Sequence, residues 1–179
     1  INRKLREGKF VNEAKKLSIF DFDDTLVKTT SFIYVTNNGN TRKLTPGQYA
    51  VYNEKPGDEY DFSDFQKVQD PQEIKKITGV LRRIVQRSGG NGVYILTARA
   101  AYNPIRKYLK DIGINMSNIY VTALASNDPQ DKADWIEDKI DNDGYDDVYF
   151  ADDSKKNVDA TKKMLRGKDV KWRVQHIKH

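Results

Sequence analysis

Leu17-Ser18-Ile19-Phe20-Asp21-Phe22-Asp23-Asp24-Thr25 is the stretch on which the reading of this chain turns. Leu17 to Phe20 form a short apolar block of the kind that makes a buried strand, and the block runs directly into acids. Side chains alternate along an extended backbone, so Asp21 and Asp23 share one side while Phe22 points back into the core. Two carboxylates side by side at a strand end can divide two roles, nucleophile and general acid or base.

Similar blocks recur downstream, separated by helical patterns. Gln72 to Arg87 places Ile74, Ile77, Leu81, Ile84 and Val85 on one helical face and ends at Gly89-Gly90. Val93 to Leu96 reads as the second strand, followed by Thr97-Ala98-Arg99. Asn103, as N-cap, and Pro104 open a helix that stops at Gly113. Ile119 to Val121 is a third strand, Asp131 to Ile140 a helix, Val148 to Ala151 a fourth strand, Lys155 to Leu165 a helix, and Val170 to Val174 a fifth strand. Strands alternating with helices of this length predict an α/β fold, a central parallel sheet with helices on both faces.

Lys28 to Asp70 breaks the rhythm. Two short runs flank Asn37-Asn38-Gly39-Asn40, a hairpin signal, and Thr45-Pro46 opens a short helix through Tyr52. Gly57 to Phe62 reads as loop, and the whole segment as an insert lying over the sheet edge. It is too short for a separate domain, so residues 1–179 are read as one domain carrying an insert at about 28–70.

Composition removes several alternatives. The chain has 179 residues and no cysteine, which leaves no disulfide scaffold and no thiolate zinc site. No apolar run approaches the roughly 20 residues of a membrane span, and Ile1 to Lys16 is too charged for a signal peptide. Against 26 acidic side chains stand 31 basic ones, a mild lean toward anionic partners. These features predict a cytoplasmic monomer with no membrane partner.

Ligands in open α/β sheets bind beyond the carboxyl ends of the strands. There the chain places Asp21, Asp23 and Thr25 after the first strand, Thr97, Ala98 and Arg99 after the second, and Asp152-Asp153-Ser154 after the fourth. Lys132 opens the helix after the third strand. Carboxylates gathered on one rim call for a hard divalent cation bound through oxygen, and magnesium is the natural choice. Lys132 and the Thr97 hydroxyl suit the charge of a transferring phosphoryl group. Other readings exist: Asp152-Asp153-Ser154 also suits a helix N-cap, Lys132 a solvated helix face, and Arg99 either a substrate phosphate or a neighbouring acid.

Phe20-Asp21-Phe22-Asp23-Asp24-Thr25-Leu26 resembles the DxDxT signature of the haloacid dehalogenase (HAD) superfamily of phosphohydrolases. The resemblance continues through Thr97, Lys132, and Asp152-Asp153-Ser154 with Asn157, and spans Leu17 to about Met164. It implies a Rossmann-like HAD fold with a small, hairpin-containing cap insert. It also implies a phosphoric monoester hydrolase that works through an aspartyl-phosphate. Asp21 is then nucleophile and magnesium ligand, and Asp23 is the acid/base whose carbonyl also binds the metal. Thr97 and Lys132 become catalytic, Asp152 and Asp153 metal ligands, and Thr25, Thr97, Ala98, Arg99 and Lys132 substrate contacts. The family's usual glycine after the second acid is Asp24 here, and Lys139, Lys155 and Lys156 compete with Lys132 for the third motif.

A small cap leaves the site open and suits a phosphate that protrudes from something large, such as a polynucleotide end or a phosphoprotein. The chain also looks similar to compact phosphatase domains of phage and bacterial nucleic-acid repair proteins, which implies a bacterial or phage-infected cell. Two other readings stand: a small-metabolite phosphatase whose insert closes as a lid, with Tyr34, Tyr49, Tyr52 and Tyr60 on a pocket, and a non-catalytic accessory protein. Trp135 and Ile136 read as core. The basic tail with His176 and His179 reads as a solvated edge strand rather than a nucleic-acid contact, and its histidines are given no role in the site.

Overall fold

A computed structural model of the chain describes residues 13–179; most of the charged opening segment, weighed above against a signal peptide, lies outside them. Five strands form one parallel sheet: β1 (Lys16–Phe20), β7 (Val93–Thr97), β8 (Tyr120–Ala123), β9 (Asp147–Asp152) and β10 (Lys171–His176). They lie in the order β10-β9-β1-β7-β8. From β1 the chain steps outward through β7 and β8, then returns to the other side of β1 for β9 and β10. Parallel crossovers are right-handed, so the two directions of travel put their helices on opposite faces.

The alternation of side chains along the strands shows both faces. Phe20, Val93, Ile95 and Ala151 pack with Ile77 and Leu81 of α2 (Lys75–Ser88) and with Ile105 and Leu109 of α3 (Asn103–Asp111). Leu17, Ile19, Leu96, Val148 and Phe150 pack on the other side, with Ile136 and Ile140 of α4 (Pro129–Asp143) and Leu165 of α5 (Lys155–Arg166). Strands buried on both sides explain why the sequence shows continuous apolar blocks there. Ile136 is fully buried, and Trp135 meets Tyr94 edge-on against the same cluster, so both serve as core. Among the described residues no helix is long and apolar enough to cross a membrane.

The insert is closed at its base by β2 (Val27–Lys28) and β6 (Gln72–Glu73), paired antiparallel. Above that stem, β3 (Ile33–Asn37) and β4 (Asn40–Leu44) form the expected hairpin. Its two turn residues, Asn38 and Gly39, both have positive φ, 49° and 76°, as a two-residue hairpin turn requires. Thr45 caps the short helix α1 (Pro46–Ala50) through a reciprocal bond with Gln48.

Two expectations for this region need correction. Gln72 and Glu73 are not the first turn of α2, because their backbone pairs with the stem strand instead. The stretch read as loop contains β5 (Glu59–Asp61), which adds to β3. Its signal is a single apolar residue, Tyr60, packed against Ile33, Val35 and Leu44 in the insert's own core.

Gly92 fixes the approach to β7. Its φ is +70°, and a Cβ there would lie 2.3 Å from the Lys16 carbonyl oxygen, while its own carbonyl accepts from Ser18 N at 2.8 Å. Gly89, the cap of α2, also has positive φ but nothing within 4 Å of such a Cβ. Gly92→Ala should therefore cost about 2 kcal/mol or more in urea unfolding, from backbone strain plus collision, and Gly89→Ala about 1 kcal/mol from strain alone. Equal costs at the two positions would refute the steric assignment.

Candidate active site

The switch in travel direction at β1 marks the carboxyl ends of β1, β7 and β9 as the place where open sheets of this kind bind ligands. Asp21 follows β1 directly and Asp152 ends β9, and the register that pairs Phe20 with Ala151 sets these two acids at the same height. Asp153 follows. Carboxylate oxygens of Asp21, Asp152 and Asp153 all lie within 4.8 Å of one another.

One buried ammonium holds two of them. Lys132 Nζ donates to Asp21 Oδ1 at 2.8 Å and to Asp152 Oδ2 at 2.8 Å. Lys132 stands at the start of α4, whose cap is Asp128, and it is buried together with Ala133 and Ile136. The competing lysines are occupied elsewhere: Lys139 pairs with Asp143, Lys155 with Asp159, and Lys156 Nζ donates to the Ala50 carbonyl.

Thr25 links the first and fourth clusters. Its hydroxyl donates to Asp21 Oδ2 at 2.9 Å and accepts from the Asp153 amide at 3.1 Å. Asp152 is fully engaged: Oδ1 accepts from Ser154 N, and Oδ2 accepts from Asn157 Nδ2 at 3.0 Å as well as from Lys132. The Ser154 side chain in turn caps α5. Asp153 keeps the freer carboxylate, which accepts a long bond from the Thr25 hydroxyl at 3.4 Å. Within the acid pair, Asp152 is thus an anchor and Asp153 the more available ligand.

The donor set fits a hard divalent cation. Asp21, Asp152 and Asp153 carry three negative charges against one on Lys132, so two remain for a divalent ion to cancel. Burial drives the Asp21 carboxyl well above its ordinary value, Asp152 adds to that push, and Lys132 opposes it. Asp153 is pushed up to about 6, by burial and then by Asp152. Burial works against the charge on Lys132, but Asp21 and Asp152 outweigh it and hold its pKa above the ordinary lysine value.

Asp23 stands outside this cluster. Its carboxylate pairs with Arg99, whose Nε donates to Oδ2 at 2.8 Å and whose Nη2 donates to Oδ1 at 2.7 Å. Thr97 ends β7 and its hydroxyl accepts from the Arg99 amide at 3.1 Å, which leaves its own proton for another acceptor. Ala98, between them, is exposed on the rim. Asp24 has φ +59°, a left-handed conformation that glycine adopts at least cost.

The C-terminal strand brings a feature that the sequence reading left out. β10 pairs with β9 in register, His176 opposite Asp152, so both histidines reach the same rim. His176 Nε2 donates to the Asp153 carbonyl at 2.9 Å, His179 contacts the Asp24 carbonyl, and Ile177 between them is buried in the core. The signal was present, since Val170 to Val174 continued by two residues ends where the other strands end.

No family model matches the chain, and no curated protein does. Two solved structures resemble it, both of the HAD domain of effector protein Lem4 from Legionella pneumophila. One, an inactive mutant, aligns over 93% of this chain and 87% of its own at TM-score 0.57 and 13% identity. The other covers 92% and 86% at TM-score 0.53, again at 13% identity. The chain therefore has the HAD fold.

The charge balance yields a test. In the metal-free protein the Asp153 carboxyl titrates higher than in the unfolded chain, so its ionisation destabilises the fold. That cost is absent below the ordinary carboxylate range, grows as pH rises toward 6, and is fully present above it. Metal-free Asp153→Asn should melt above metal-free wild type at pH 7.5, and the gap should close toward pH 4. Millimolar magnesium should narrow or reverse the gap, because the wild type gains the greater binding energy. A gap that does not vary with pH would refute the assignment.

Proposed function

We propose that the chain is a magnesium-dependent phosphohydrolase of the HAD type that works through an aspartyl-phosphate on Asp21. The observation that carries this reading is Asp21 itself, a buried carboxylate at a strand end held by Lys132 and Thr25 beside two further acids. Asp21, Asp153 and the Asp23 carbonyl would hold the metal, with Asp152 as its neighbour. When bound, magnesium supplies charge neutralisation that lets an anionic nucleophile meet an anionic phosphate.

In the first step an Asp21 oxygen attacks phosphorus. The bond from phosphorus to the leaving oxygen breaks with its electron pair going to that oxygen, which takes a proton from the Asp23 carboxyl. In the second step a water oxygen attacks the aspartyl-phosphate and gives its proton to the Asp23 carboxylate. The bond between phosphorus and Asp21 breaks, its electron pair returns to the carboxylate, and inorganic phosphate leaves. Lys132 and the free proton of the Thr97 hydroxyl steady the oxygens of the transferring group, and Thr25 orients Asp21.

The substrate is a phosphomonoester on a nucleic-acid end or nucleotide. The small insert, the net charge of +5 and exposed Lys155, Lys156 and Lys178 beside the strand ends support that choice. The lid reading of a small-metabolite enzyme finds less support, because Tyr49, Tyr52 and Tyr60 pack into the insert's core and Tyr34 donates to Asp64. The cytoplasm of a bacterium or a phage-infected cell, and a monomeric state, belong to the same proposal.

Phosphate release from p-nitrophenyl phosphate, with and without magnesium, tests the chemistry. Asp21→Asn should lose turnover by about a thousandfold or more while remaining folded by circular dichroism. Asp153→Asn should raise the magnesium concentration needed for half-maximal rate, and an unchanged titration would move the ligand role to Asp152. Substantial release by Asp21→Asn would refute the mechanism. Release from a phosphorylated oligonucleotide that weakens steeply with salt would support the substrate class, and a flat salt response would refute it.

A further inference from the structure

We infer that Arg99 is a positioning residue that ties the Asp23 carboxylate to the backbone of the insert, so that the placement of residues 65–67 sets the placement of Asp23. The inference rests on the proposed acid/base role of Asp23 for its catalytic consequence, but not for the physical linkage.

The Arg99 side chain is 2% exposed. Beyond its two bonds to Asp23, Nη1 donates to the Phe65 carbonyl at 3.1 Å and to the Lys67 carbonyl at 2.7 Å. Four of the five N–H groups of a guanidinium are thereby occupied, too many for a two-pronged grip on a substrate phosphate. The group also lies near two rings, its central carbon 5.4 Å from the Phe22 centroid and 4.9 Å from that of Phe65. A buried guanidinium cannot give up either set of acceptors cheaply. Asp23 follows β1, Arg99 follows β7, and the insert that separates them in sequence returns to complete the junction.

Each Asp23 oxygen keeps a second lone pair beyond its bond to Arg99, so the fork fixes the carboxylate's orientation without closing either oxygen to a further partner. Lysine at this position would keep the charge and lose the planar fork. Loss of the fork should loosen the insert and misplace Asp23 together, and loss of the Asp23 charge should loosen the insert from the other side.

Two readouts on the full chain test this. Amide hydrogen exchange over residues 63–70 should quicken at least about tenfold in Arg99→Lys and in Asp23→Asn alike. Unchanged exchange in Asp23→Asn would overturn the linkage, and that variant alone carries the test if Arg99→Lys does not fold. In steady-state assays Arg99→Lys should lose about tenfold more kcat on an alkyl phosphate, whose leaving oxygen needs a proton, than on p-nitrophenyl phosphate, with KM changed less than about twofold. A raised KM with the same alkyl-to-aryl ratio would instead make Arg99 a phosphate binder and overturn the inference. If wild type hydrolyses neither compound, the phosphatase reading fails, while the exchange measurement still decides the linkage.

Discussion

The ammonium of Lys132, buried between Asp21 and Asp152, is the constraint around which the rest of the molecule is arranged. Three buried charges within hydrogen-bond reach are stable only when their partners are all in place, since each removed alone leaves another uncompensated. The ends of β1 and β9 must therefore sit level, and α4 must begin where it does. The Leu17, Ile19, Ile136 and Phe150 cluster supplies the packing that holds those elements in register. Thr25, Ser154 and Asn157 then use the remaining hydrogen-bonding capacity of the two acids. What is left over is negative charge in a confined space, which is a reason for a cation rather than a defect of the fold.

Much of this was legible in the chain. Apolar blocks of four residues with acids at their ends locate the strands and their carboxyl rim, because a strand buried on both sides admits polar groups only where it stops. Pro46 after Thr45, and Asn38-Gly39 between extended runs, disclose the helix and hairpin of the insert, since their backbone demands are local. Lys132 was harder to single out among the lysines nearby, as its burial depends on how α4 docks and not on its neighbours in sequence. β5 and the stem strand β6 escaped notice because two or three residues carry too little alternation to register. The reach of the histidines escaped because it depends on the pairing of β10 with β9.

The insert is joined to the parallel sheet at several distinct places. The β2–β6 stem closes its base, Lys156 at the start of α5 donates to the Ala50 carbonyl at the end of α1, and Arg99 holds the backbone at Phe65 and Lys67. Its own small core of Ile33, Val35 and Leu44 keeps the antiparallel sheet together between those attachments. Val68 of the insert also packs against the core of the parallel sheet, so a displacement of the insert would be felt at these attachments.

The position of His179 beside the Asp24 carbonyl has a practical side for anyone handling the protein. Whatever is joined after that residue, further chain or an affinity tag, leaves the fold beside the acidic cluster. A cluster of imidazoles placed there would compete for metal ions next to the carboxylates. The first described strand, by contrast, enters the sheet at Lys16, at the opposite pole. Purification handles and fluorescent labels belong at that end, away from the three carboxylates.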